Sequence, residues 1–252
     1  MPLFQPKSYL NFLKRCVSGQ PALLQRNPLV PDKIELINYA FSRFGLHSFA
    51  DLGGVWGVEG GYTFNTLDNH DVSAAILVDT NPTDMVENRA REFAQLKILT
   101  GNFGDEAVAA TVGDVDAVFL FDVLLHQVAP DWHRVLEMYA RQTKCFVIYN
   151  QQWTGSDQTV RLLEFGEEEY FRNVPHERTE TPYDNLFEKL DEKHSGHGRL
   201  WKDVHSIWQW GITNSDLITK VESLGFRLQY MKNCGRFGQL ENFENHAFVF
   251  TR

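Results

Sequence analysis

Five short apolar runs, set apart by stretches of helical spacing, constrain the fold of this chain more than any other feature. SFADLGG (48–54), AAILVDT (74–80), LKILTGN (96–102), VDAVFLFDVLL (115–125) and KCFVIYN (144–150) each have the length of a strand. Two of the intervals, 83–94 and 130–142, read as helices. Strand and helix alternating in this way imply a parallel sheet covered on both faces, because parallel neighbours need a crossover. At 252 residues, with 43% hydrophobic and 23% charged side chains, the chain is sized for one such core and a modest addition.

Helical spacing also precedes the first strand, over 8–17 and 32–45. In the second stretch Ile34, Ile37, Phe41 and Phe44 share a face, Asp32 stands near the start and Gly45 offers a stop. After Asn150 the rhythm breaks, and residues 151–212 are polar, aromatic and rich in His and Glu. That is too long for a structureless loop, so an inserted cap is expected, with RLLEFGEEEYF (161–171) and FEKLDEK (187–193) as candidate helices. SDLITKVESLG (215–225) then reads as a helix, and FRLQYMK (226–232) and HAFVFT (246–251) as strands. The glycine-broken link between those strands lacks a helical stripe, so they should pair antiparallel. The expected organisation is an N-terminal helical lid over 1–47, a core over 48–150 and 213–252, and a helical cap over 151–212. The seven strands of that core form a mostly parallel sheet with an antiparallel last strand.

The first strand runs into Asp51-Leu52-Gly53-Gly54-Val55-Trp56-Gly57. Glycines there let the backbone turn sharply and approach a ligand, though a plain tight turn would look the same. The acids narrow the choice. A nicotinamide site wants G-x-G-x-x-G, and GGVWGVEGG contains no G-x-G. Instead Asp51 precedes the glycines and Asp79 closes the second strand, followed by Thr80. A cofactor with a cationic methionine end and a ribose would use both acids. Asp51 would orient the amino group through water, and Asp79 would accept from the ribose hydroxyls, with Thr80 beside it in the cofactor site. Asp79 also suits a helix cap.

In the order DLGGVWG, ILVDT, LTGNFGDEA, FLFDVLLHQVAPDW, CFVIYN and a closing hairpin, the chain resembles the class I S-adenosylmethionine (SAM)-dependent methyltransferases, over about 48–150 and 213–252. The resemblance implies a Rossmann-like α/β fold with SAM as cofactor. The family's loop carries an acid, one residue and then Gly-x-Gly-x-Gly. Asp51, Gly53 and Gly57 match, Val55 replaces the middle glycine, and Gly54 stands beside it. Where the family places an acid against adenine, this chain has Asn102, with Phe103 beside it to stack. FDVLLHQVAPDW resembles the stretch in small-molecule methyltransferases that ends beside the methyl group, which puts Asp122, as a cofactor-binding residue, and His126 at that edge.

The resemblance further implies that Tyr149, Asn150 and Trp153 shape the acceptor side, with Trp208 and Trp210 near the segment that lines the acceptor pocket. Trp201, Trp208 and Trp210 equally suit the core of the cap. His126 and His205 are the candidate bases, since an unperturbed histidine titrates near ~6.5. His126 also reads as a hydrogen-bonded structural histidine. His194 and His197 form a His-x-x-His pair without cysteine partners, which reads as a solvated loop, so no metal is expected. Glu167, Glu168 and Glu169 read as a solvated helix face.

A formal charge of −9 without a basic cluster argues against a nucleic-acid partner. Cys16, Cys145 and Cys234 are too scattered for a disulfide framework, and no run suits a signal peptide or membrane span, so a cytoplasmic protein is expected. The expected function is methyl transfer from SAM to an O or N atom of a small molecule. A non-catalytic SAM-fold binding or regulatory protein is the alternative, and an NAD(P)-dependent oxidoreductase stands behind it. The acceptor and the oligomeric state, a homodimer included, stay open.

Overall fold

A computed structural model describes residues 27–196 and 198–252. The helix expected over 8–17, Cys16 and His197 lie outside the described residues.

Helix α1 (Pro31–Phe44) starts with Pro31 in its first turn and ends at Gly45, whose φ of 58° closes the helix in the left-handed region. Its buried face is Lys33, Leu36, Ile37, Ala40 and Phe41. The core follows as β1 (Ser48–Leu52), α2 (Gly61–Asn69), β2 (Ala74–Asp79), α3 (Asp84–Ala90), β3 (Leu96–Thr100), α4 (Glu106–Val112), β4 (Val115–Phe121), α5 (Trp132–Ala140) and β5 (Thr143–Trp153). The insertion holds β6 (Val160–Arg161), α6 (Glu167–Arg172) and β7 (Trp210–Gly211); α7 (Asn214–Ser223), β8 (Arg227–Arg236) and β9 (Phe243–Thr251) complete the chain.

The seven-stranded sheet has the order β3-β2-β1-β4-β5-β9-β8. Strands β1 to β5 pair in parallel, and β9 runs antiparallel to both β5 and β8. This is the Rossmann-like sheet expected from the sequence. The chain winds outward from β1 in one direction and from β4 in the other, so their C-terminal ends flank a crevice where such sheets bind ligands.

One face of the sheet packs Phe49, Phe119 and Val147 against α1 and α2, with the Phe49 and Phe119 rings stacked at 4.7 Å. The other packs Val118, Phe146 and Phe248 against α5 and α7. The insertion has a third cluster of its own, built from Trp153, Tyr170, Tyr183, Ile207 and Trp208.

The insertion carries less helix than its apolar spacing suggests. Gly166, at φ 81°, divides 161–171 into a 3-10 turn (Leu162–Phe165) and the short α6. Over 187–193 only a 3-10 turn (Leu186–Glu188) forms. The carbonyls of Leu190 and Glu192 accept from Lys202 and Trp201 instead of from the next helical turn, beside a bridge between Lys193 and Leu200. Backbone pairing across the loop has replaced the helix. Among the described residues, no helix is long and apolar enough to cross a membrane.

Candidate functional site

The loop after β1 is laced down by the acids that the sequence singled out. Asp51 is 1% exposed, and its carboxylate accepts from the Thr63 hydroxyl on α2 at 2.6 Å. Burial lifts this carboxyl to about 6 against the pull of the Thr63 bond, with Asp79 adding to the rise. Gly54 lies directly over it: a Cβ there would come within 2.4 Å of Asp51 Oδ2. Gly53, at φ 76°, leaves no room either, since its Cβ would stand 2.9 Å from Val123 Cγ1. Both positions require glycine because backbone passes against side chains.

Val55, standing where the family has its middle glycine, is 3% exposed and packs among Tyr62, Phe64 and Leu77. Its side chain points into the core and not across the loop, so the substitution leaves the backbone path open. Gly57 takes φ 77°. Asp79 at the end of β2 receives Val55 N–H at 3.1 Å on one carboxylate oxygen and Asn81 N–H at 3.0 Å on the other. Each oxygen keeps a second lone-pair direction. Thr80 beside it is exposed.

Asp122, directly after β4, takes φ 58°, a conformation that aspartate tolerates better than most residues. Its side chain is 29% exposed and forms an ion pair with Lys33 of α1. Lys33 is 4% exposed and walled by aromatic rings, with Tyr62, Tyr149 and Phe121 centroids at 5.1, 4.9 and 5.8 Å from its ammonium. Burial opposes its charge, but the carboxylate of Asp122 and the neighbouring Tyr62 more than offset that, so its pKa lies above the ordinary lysine value. The second Asp122 oxygen accepts from Gln151 Nε2 at 2.8 Å, and the same amide donates to Asn245 Oδ1 at 3.2 Å. Lys33, Gln151 and Asn245 did not emerge from the sequence reading. The signal for Lys33 was available, since it lies in phase with Leu36, Ile37, Ala40 and Phe41 on the buried stripe of α1.

The two candidate bases occupy a separate cluster. Asn102 Oδ1 accepts from Gly104 N–H at 2.8 Å, which leaves its Nδ2 to donate to His205 Nε2 at 3.3 Å. The Arg199 guanidinium donates to the same nitrogen at 3.1 Å. His205 Nε2 therefore carries the lone pair, and Nδ1–H faces the His126 carbonyl at 3.4 Å. His205 is a strut between the β3 loop and the insertion. His126 donates from Nδ1 to the Ile207 carbonyl at 2.8 Å, and burial pushes its pKa down to about 4. That makes it a weak base at neutral pH.

Phe103 is 8% exposed, with a ring carbon 3.4 Å from the Cβ position of Gly53, so it borders the glycine loop. Tyr149 is 4% exposed and faces Lys33, while Asn150, one residue on, is fully buried. Trp153 and Trp208 are 6% and 4% exposed and meet Phe243 at 5.2 and 5.1 Å between ring centroids. Both serve the insertion's core. Trp210 donates its indole N–H to the Gln127 carbonyl at 2.7 Å, with the Arg161 guanidinium 5.1 Å from its ring centroid. The structure thus brings together the glycine loop, Asp79, Phe103 and Asp122, and sets the histidines and tryptophans against the insertion.

No protein-family model matches the sequence, and no curated protein is significantly similar to it. Solved structures do share its fold. An O-methyltransferase family protein from Burkholderia thailandensis is 15% identical with a TM-score of 0.55, over 88% of this chain and 55% of that one. This chain thus spans about half the length of that protein. The 1,6-didemethyltoxoflavin-N1-methyltransferase of B. thailandensis, with its substrate and S-adenosylhomocysteine (SAH) bound, is 11% identical with a TM-score of 0.56, over 100% of this chain and 92% of that one. The N-methyltransferase NodS from Bradyrhizobium japonicum is 9% identical with a TM-score of 0.53, over 88% and 94%. At these identities the likeness establishes the fold, a Rossmann-like sheet of the kind those methyltransferases carry.

Proposed function

We propose that this protein is a SAM-dependent methyltransferase that acts on an O or N atom of a small-molecule acceptor. The observation that carries this reading is Asp79: it closes β2 at the crevice and holds the glycine loop by one oxygen, with a lone pair left on each oxygen for a pair of ribose hydroxyls. The neighbouring residues fit the same cofactor. Gly53 and Gly54 let the loop backbone pass close against Val123, Phe103 and Asp51, and the Phe103 ring bordering Gly53 would offer a face to an adenine. Asp51 acts one layer below, bonded to Thr63 with Gly54 packed over its carboxylate. Its 1% exposure gives it no direct reach to a ligand.

When bound, SAM supplies an activated methyl group on a positively charged sulfur. The chain's own task is to position the acceptor and exclude water. Helix α1 and the insertion flank the β4 and β5 ends, where the acceptor would sit. The charge of −9 favours a small molecule over a nucleic acid, and we place the protein in the cytoplasm.

Calorimetric titration with SAM, SAH and NADH tests the reading. Micromolar binding of both adenosyl ligands and none of NADH is expected, and Asp79→Ala should weaken SAH at least tenfold while the protein stays folded. Unchanged SAH affinity in that variant would sink the assignment. A second reading, a non-catalytic protein of the same fold, is favoured by one observation: Val123 and Phe103 close over Gly53. Silence from both adenosyl ligands with folded protein would move the conclusion there.

A further inference from the structure

The Lys33–Asp122 pair calls for an explanation beyond packing. A buried ion pair contributes little or nothing net to stability compared with a well-packed apolar pair. The φ of 58° at Asp122 adds strain, and such strain concentrates at functional sites. Four separate elements converge on this one carboxylate: α1 through Lys33, β4 through its own backbone, β5 through Gln151, and β9 through Asn245 behind Gln151. Lys33 and Gln151 are each 4% exposed, whereas the Asp122 side chain is 29% exposed. The reachable member of the network is therefore the carboxylate. It lies at the crevice, one residue from Val123, whose side chain abuts Gly53 of the glycine loop.

On the methyltransferase reading, we infer that Asp122 is the acceptor-binding residue, that Lys33 and Gln151 position it, and that the acceptor atom carries a hydrogen, as an amine or hydroxyl does. Each Asp122 oxygen already takes one donor and keeps one lone-pair direction, so a ligand meeting it must bring an N–H or O–H. Lys33 offers an anionic ligand no place, because Asp122, Tyr62 and the surrounding rings enclose its ammonium. A carboxylate acceptor would meet Asp122 as a like charge. As the acceptor's lone pair forms the new C–N or C–O bond, the methyl–sulfur bond breaks and its electron pair stays on sulfur. The hydrogen on the acceptor atom leaves as a proton, received by Asp122 and passed to water. His126 and His205 are not needed for that step.

The test uses three probes that share a benzene ring and differ in head group: benzylamine, phenol and benzoate. Each is titrated by saturation-transfer NMR into the SAH-loaded protein. Benzylamine and phenol should bind at least tenfold tighter than benzoate. Asp122→Asn should erase that preference and Gln151→Leu, which loosens the carboxylate without removing its charge, should reduce it, while SAH affinity by calorimetry changes less than twofold. Gln151→Leu keeps the ion pair intact, so it guards against a folding defect in Asp122→Asn. Equal binding of benzoate, no binding of any probe, or a preference that survives both variants would overturn the inference. Failure of the parent protein to bind SAH would instead overturn the cofactor reading, and the same titration of unloaded protein would still decide the role of Asp122.

Discussion

Along the C-terminal edge of the sheet, the β1–β3 half and the β4–β5–β9 half hold their acids in different ways. In the first, Asp51 and Asp79 rest on neutral donors: one threonine hydroxyl and two backbone N–H groups. Thr63 is twelve positions from Asp51, Asn81 two from Asp79, and only the Val55 contact spans twenty-four. In the second, Asp122 faces an ammonium eighty-nine positions away and an amide twenty-nine away. The first half is a local design that tightens backbone, and the second is assembled by the tertiary fold around a charge. Neutral bonds can be lost singly, whereas a buried charge that loses its partner has no water to turn to.

That contrast predicts the largest effect in the β4–β5 half. Asp122→Asn leaves the Lys33 ammonium without its counter-charge inside an aromatic wall, and should destabilise the protein by about 3–5 kcal/mol in urea unfolding. Adding Lys33→Met removes the stranded charge, so the double variant should recover part of that loss. If Asp122→Asn costs under about 1 kcal/mol, the pair behaves as a surface ion pair and the two halves are not different in kind.

A smaller effect is expected in the glycine-loop half. Gly54→Ala would drive a methyl group to 2.4 Å from Asp51 Oδ2, so either the loop or the carboxylate must move. Overpacking of this sort costs about 1–3 kcal/mol. The sharper readout is SAH affinity, which should fall at least tenfold because the displaced loop is the proposed cofactor cradle. Unchanged SAH binding with a lowered melting temperature would restrict Asp51 and Gly54 to a structural role.

The same contrast explains what was legible in the sequence. The succession of strands and helices, the hairpin at the end and the Asp51–Gly57 loop are written in local patterns, so apolar spacing and glycine placement carried them. Asp122 stood out only through the resemblance, and its partners Lys33, Gln151 and Asn245 lie on three other elements. Gln151, between Asn150 and Gln152, gave no sign that its side chain faced a carboxylate. Lys33 is a charge on an apolar helical stripe, but Ile34, Ile37, Phe41 and Phe44 define an equally good stripe on which it does not lie. In the insertion the aromatic residues suggested a pocket, yet Trp153 and Trp208 bury themselves against Phe243 because that segment must supply its own core.

Asp51 and His126 carry the comparison into pH, with one group in each half and effects of up to about 3 kcal/mol that partly cancel in the parent protein. Burial raises Asp51 to about 6 from 3.8, so over that window the folded chain keeps a proton that the unfolded chain has lost. Its contribution to stability is complete below about pH 4 and is lost as pH rises through 6. Burial lowers His126 to about 4 from 6.5, so there the unfolded chain takes up the proton first. Its contribution is complete above pH 6.5 and is lost as pH falls through about 4. In the parent protein the two slopes oppose each other between about pH 4 and 6, and removing one exposes the other. Relative to the parent, Asp51→Asn should lose stability on acidification across that window, and His126→Gln should gain it. Urea midpoints measured at both ends of the window read the two slopes directly. If the variants drift in the same direction, one of the two groups is not desolvated as the fold places it, and the opposition between the halves fails at that residue.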